Sequence, residues 1–189
     1  MVPITALVIP ILLAAVLVFV ASSVIHMVLG YHAADYNRLP REDEVQAALR
    51  GFNIPPNDYL VPRPGSPGAM KDPAFLEKYK KGPVLMMTIM PPSPGGTPAM
   101  GAQLAQWFVY CIVVGVVAAY MAGRALGPGA PYPAVFRFAG TTAFIAHSFA
   151  LPQYSIWYHR NWGTTLRSMF DGLIYGLLTG GTFGWLWPR

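Results

Sequence analysis

Asp171 is the one acid outside the polar stretch between residues 31 and 101, and it stands four residues after Arg167 in an otherwise apolar run. A carboxylate at membrane depth is expensive unless it finds a partner or a wet cavity. The spacing allows an i, i+4 pair with Arg167, and a place in the first turn of a helix favours the negative charge. With His147, which lies mid-run near Thr142 and Ser148, the same groups could instead pass a proton or a cation. Asp171, His147 and Arg167 are therefore a candidate relay.

The histidines are the other candidates, because two at equal depth on facing helices can ligate haem or a metal. Alternating helix directions put His26 and His159 near one membrane face, with His32 and Asp35 close by in sequence and His147 about halfway across. His26, His32 and His159 are then the candidate metal ligands. No two of them have helical ligand spacing, so no metal site and no cofactor is expected. Met86, Met87, Met90 and Met100 are soft donors suited to Cu(I), but alternation along a strand sends Met86 and Met90 to one face and Met87 to the other. Cys111 is the single cysteine, so no intrachain disulfide is possible, and in an apolar run it reads as a small hydrophobe. There is no Gly-rich phosphate cradle, no Gly-x-Ser-x-Gly elbow and no His-Glu-x-x-His. Their absence does not exclude catalysis but removes the ordinary reasons for asserting it, which leaves a membrane-embedded enzyme as the third reading.

Glycines carry the most regular pattern. Gly172, Gly176, Gly180 and Gly184 recur every four residues and fall nearly on one face of a helix, with a weaker version in Gly115, Ala119 and Gly123. Stripes of small residues let backbones approach closely, which is what drives helix association within lipid. They serve either packing within the chain or a homo-oligomer seam or pore wall.

The elements that must position these groups follow from composition. Of 189 residues 54% are hydrophobic and only 11% charged, against about 25% charged in soluble domains, which excludes an ordinary soluble domain and a disordered chain alike. Residues Val2 to Leu29 carry no charged side chain and are long enough to cross a bilayer. They lack the basic n-region of a cleavable signal, so an uncleaved anchor is expected. Three more spans are predicted at about 103–122, 138–158 and 168–187, with His159 to Arg167 as a short link between the last two. Trp107, Trp157, Trp162, Trp185 and Trp187 fall near predicted span ends, as an interfacial belt.

Between the first two spans, residues 31–101 are polar and rich in Pro and Gly. Arg41 to Gly51 reads as a helix with an acidic opening turn, and Asp72 with Pro73 as the cap and first position of another that ends in Lys78, Lys80 and Lys81. Asp58–Val61 and Val84–Met90 read as two pairing strands, and Pro91–Pro98 as a linker. The expected organisation is a first helix in 1–30, an extramembrane α+β segment in 31–101 and a three-helix region in 102–189: an all-α membrane protein, four transmembrane helices in a bundle. Ten of the 13 Lys and Arg fall on the side of this segment, leaving Arg124, Arg137 and Arg189 opposite. The positive-inside rule then places both termini outside and residues 31–101 in the cytoplasm. The net charge of +5 does not imply nucleic acid, because eight of the basic residues share one segment with seven of the eight acids.

Two stretches carry a family resemblance: His26-Met-Val-Leu-Gly-Tyr-His32 leading into Asp35-Tyr-Asn-Arg-Leu-Pro40, and the closing Phe170-Asp-Gly-Leu-Ile-Tyr-Gly-Leu-Leu-Thr-Gly-Gly-Thr-Phe-Gly-Trp-Leu-Trp-Pro188. With Trp107-Phe-Val-Tyr-Cys111, they resemble a family of small bacterial multi-pass inner-membrane proteins of unknown function. The resemblance implies a membrane location and no assigned chemistry. The expected function is that of a structural or accessory subunit of a membrane assembly, its partners the lipid bilayer and other subunits or a second copy of itself. The alternative is an oligomeric channel or proton-coupled transporter of small solutes, built on the glycine-striped last helix.

Overall fold

The computed structural model describes residues 1–189 except 94, 95 and 98, so part of the expected Pro91–Pro98 linker lies outside the described residues. The chain forms two units, Met1–Asn37 with Met100–Arg189, and Arg38–Ala99.

The smaller unit is built as its local signals dictate. Helix α2 (Glu42–Gly51) opens on Glu42, Asp43 and Glu44, three acids at the positive end of the helix dipole. Helix α3 (Pro73–Lys81) begins where the Asp72 side chain accepts from Ala74 N, and its three lysines fill the last turn. Strands β1 (Asn57–Val61) and β2 (Leu85–Ile89) pair antiparallel, with Tyr59 opposite Met87. Alternation leaves Met87 half-buried and Met86 exposed, which splits the methionine cluster.

The larger unit contains α1 (Val8–Met27), α4 (Gly101–Ala125), α5 (Tyr132–Ser148), the short α6 (Pro152–Tyr158) and α7 (Trp162–Trp185). Three segments are long and apolar enough to cross a membrane: Ile4–Met27, Gly101–Ala125 and Tyr132–Tyr158. The four long helices alternate in direction. Val2 N donates to Gly123 O, Gly129 N to Pro188 O and the Trp187 indole to Gly127 O, so both termini and the α4–α5 connection meet at one end. The core there is Leu7, Ile11 and Ala14 against Ala118, Ala119 and Ala122, with Val135, Ala139 and Phe183 closing it. Alanines at the crossing bring helices close, while α1 keeps Ile9, Leu12, Val16, Val20 and Val24 exposed as an apolar outer face.

Several boundaries differ from the sequence expectation. Residues 31–37 belong to the helical unit and not to the polar one, because Tyr31–Asp35 forms a 3-10 turn packed on α7. Helix α5 starts at Tyr132, six residues before the expected 138, since Pro131 and Pro133 suit the N-cap and first turn. It ends at Ser148 because Pro152 interrupts the run and starts α6. Helix α7 starts at Trp162, not 168, because the Asn161 side chain accepts from Gly163 N at 2.7 Å. Asp171 is therefore well inside α7 and outside the first turn where the helix dipole acts. The tryptophan belt is also smaller than expected. Trp157, Trp162 and Trp185 are exposed, whereas Trp187 is buried and Trp107 turns inward to donate its indole N–H to Ser22 Oγ.

Candidate functional site

The last turn of α1 sets one wall of the site. His26 Nδ1 lies 2.9 Å from Ser22 O, and Ser22 Oγ donates to Phe19 O while accepting from Trp107. Gly30, at φ +65°, supplies the left-handed residue that stops the chain and turns it into Tyr31–Asp35. That turn carries three polar side chains back to α7. Tyr31 Oη donates to Asp171 Oδ1, and His32 Nε2 lies 2.8 Å from Asp171 Oδ2. His32 Nδ1 lies 2.6 Å from Asp35 Oδ2, and Arg167 Nε donates to Asp35 Oδ1 at 2.8 Å.

The result is a continuous chain, Tyr31 to Asp171 to His32 to Asp35 to Arg167, drawn from two segments more than 130 residues apart. Asp171 is 3% exposed. Burial alone pushes the Asp35 carboxyl up, but the hydrogen bonds from His32 and Arg167 outweigh it and hold the group below the ordinary carboxylate value. Burial first, and then the bond to Asp171, pushes the Tyr31 hydroxyl up, so it stays a donor.

The sequence expectation of an Arg167–Asp171 pair is corrected. Arg167 reaches Asp35 instead, and Asp171 is satisfied by Tyr31 and His32, because the turn after α1 brings unlike partners nearer than the i, i+4 neighbour. His147 is also placed differently: it stands in the last turn of α5, because Pro152 ends that helix at Ser148, and it lines the same cavity as His26 and Asp171. Its ring contacts are aromatic, with Trp107, Tyr110 and Tyr175 at centroid distances of 5.8, 5.4 and 5.2 Å. Among the described residues it makes no direct bond to Asp171, so His147 and Asp171 share a cavity that Arg167 does not line, and the three relay residues do not form one chain. His159 is separate from the histidine pair: it caps α6 in a left-handed conformation, while Asp171 takes the third place beside His26 and His32.

The cavity has a volume of about 490 Å³ and is bounded by Ser22, His26, Trp107, His147, Asp171 and Tyr175, with Met27, Met100, Leu104 and Leu151 among its apolar residues. Tyr175 lines its wall, with Oη buried next to the Ser22 side chain and not closing a well-formed hydrogen bond among the described residues. Nothing in the sequence distinguishes Tyr175 from the other nine tyrosines. Cys111 is buried beside Ala15 and Val18 in the adjoining core, without a polar role.

The glycine stripe lies beside the site and is filled from within the chain. A Cβ on Gly176 would stand 2.9 Å from Gly140 O, and one on Gly180 2.8 Å from Phe136 O. Gly172 meets Ser148, and Gly184 meets the Tyr132 ring, so all four face α5. In α4, Gly115 meets Ile11 and Gly123 meets the Val2 carbonyl, while Ala119 is buried in the same core. No family model, no curated protein and no solved structure matches the chain.

Proposed function

We propose that this chain is a four-span protein of the bacterial inner membrane that holds a small amphiphilic molecule in the cavity between α1, α4, α5 and α7, as an accessory, ligand-bearing subunit of a membrane assembly. The observation that carries the reading is the cavity itself, about 490 Å³ and walled mainly by apolar groups, with Tyr175, His147 and Asp171 converging on it. Apolar walls with a few convergent polar groups are the ordinary form of a small-molecule site. The apolar body of the ligand lies along Met27, Leu104 and Leu151, and its polar end meets Tyr175 and Asp171.

The fourth span is α7. Its 24 residues measure about 36 Å at helical rise, enough for the hydrocarbon core. Its low hydropathy comes from Gly and Thr spent on packing, while Leu166, Phe170, Leu173 and Leu177 form an exposed apolar stripe. Residues 38–99 lie on the cytoplasmic side, following the basic residues. The channel alternative is less well supported, because α5 of the same chain occupies the glycine face that a pore or an oligomer seam requires.

The test is solvent extraction and mass spectrometry of the purified full chain, compared with Leu104→Trp, which fills the cavity, and Tyr175→Phe, which removes the hydroxyl. The expected result is one molecule distinct from bulk lipid per chain in the wild type, reduced in both variants. Extracts of the same composition from all three proteins would overturn the reading.

A further inference from the structure

Three donors from separate segments converge on one wall of the helical unit. One ring nitrogen of His26, one of His32 and one carboxylate oxygen of Asp171 all lie within 4.8 Å of one another. Each histidine already commits its other nitrogen. His26 Nδ1 faces the Ser22 carbonyl oxygen, which can only accept, so Nδ1 carries the proton and Nε2 keeps its lone pair. His32 Nδ1 faces Asp35, and Arg167 holds Asp35 in place. Metal-ligating histidines are held in this way: the second N–H goes to a carbonyl or carboxylate, which fixes the tautomer and aims the free nitrogen.

The charges agree. Asp171 and Asp35 are two carboxylates against the one guanidinium of Arg167, an excess of one acid in a largely buried cluster whose balance falls to His32 or to a bound cation. The His26 and His32 rings stack 4.4 Å apart and nearly parallel, 6° between planes, so their in-plane lone pairs do not yet converge and the His26 ring must turn about its Cβ–Cγ bond to share an ion with His32. A proton shared between His32 and Asp171 leaves the His26 lone pair unused, whereas a divalent cation engages all three donors.

We propose that His26, His32 and Asp171 bind one borderline divalent transition ion, of the Zn²⁺ or Fe²⁺ type, supported from outside by Tyr31, Asp35 and Arg167. Imidazole with carboxylate suits these ions and disfavours Cu(I), which prefers sulfur. Three protein ligands leave a coordination position open. His26 and Asp171 both line the cavity, so that position faces it. The inference goes beyond the amphiphile reading and stands without it.

The test uses the full chain in detergent, purified without a polyhistidine tag and stripped with a chelator. Zn²⁺ is titrated by calorimetry and Co²⁺ by visible absorption. The expected result is one Zn²⁺ per chain and the intense d–d bands of a Co²⁺ ion of low coordination number. His26→Ala removes a ligand whose only other hydrogen bond is to its own helix, and it is expected to weaken binding at least ~10-fold, the lower end of what loss of even an outer support costs. His159→Ala is expected to change neither readout. Binding well below one ion per chain, or equal affinity in His26→Ala and wild type, would overturn the proposal. His26→Ala decides the matter even if His32→Ala fails to fold. Metal stoichiometry and lipid extraction are independent, so either reading can fail while the other survives.

Discussion

Gly180→Ala and Gly181→Ala differ by one position in α7 and are predicted to shift stability in opposite directions. In a helix interior Ala is favoured over Gly by about 1 kcal/mol, and this gain is common to both. At Gly181 a new Cβ meets only Tyr132 Oη at 3.6 Å, an ordinary contact, so the gain is kept. At Gly180 it would stand 2.8 Å from Phe136 O and 3.0 Å from Gly140 Cα, both backbone atoms. Ordinary carbon to oxygen approach is about 3.3 Å or more, so α5 and α7 must separate by roughly half an ångström. Overpacking of this kind costs about 1–3 kcal/mol. Taking the middle of that range leaves Gly180→Ala destabilised by about 1 kcal/mol net and Gly181→Ala stabilised by about the same amount. The difference of about 2 kcal/mol is close to a 30-fold ratio of unfolding constants. Reversible unfolding in mixed detergent micelles, followed by tryptophan fluorescence, measures it. Equal shifts in the two variants would refute the close crossing, since propensity alone would then account for both.

Three further outcomes are expected. Asn161→Ala removes the side-chain cap of α7 and should lower stability by about 1 kcal/mol in the same unfolding assay; no change would mean that the last link does not need its cap. Arg167→Met leaves Asp35 with His32 alone, and loss of a hydrogen-bonded charge partner from a buried carboxylate should cost about 1–3 kcal/mol. Unaltered thermal stability would show that the pair contributes nothing. Ser66→Cys in a Cys111→Ser background is expected to escape an impermeant thiol reagent added outside intact cells, and its labelling would reverse the orientation.

The local elements were legible because their signals are local. The apolar run of Val2 to Leu29 dictates an apolar helix long enough to cross a membrane whatever it packs against, and Asp72-Pro73 followed by Lys78, Lys80 and Lys81 states both ends of α3. The Asp58–Val61 and Val84–Met90 runs pair almost as expected, since prolines and glycines bound them. Boundaries in the last third of the chain were less legible. Asn161 and Pro131 are ordinary loop residues until a helix begins beside them, and the first six residues of each helix lie outside the expected span.

The site was legible in its members more than in its pairing. Asp171, His26, His32, His147 and Arg167 stood out because charge and imidazole are rare in apolar runs. The sequence placed Arg167 nearest to Asp171, because helical spacing is the only distance a sequence states. Tertiary structure supplied shorter distances: the turn at Gly30 folds Tyr31 and His32 onto α7 and gives Arg167 to Asp35. The glycine stripe shows the same division. Period four is a property of one helix and could be read directly, whereas its partner, α5, depends on which neighbour can bring Gly140 and the Phe136 carbonyl to within contact. Composition and periodicity determined that helices form and which faces lack side chains. Packing between segments far apart in the chain determined which charges meet, since burying a carboxylate in an apolar unit is stable only where donors from another segment arrive to satisfy it.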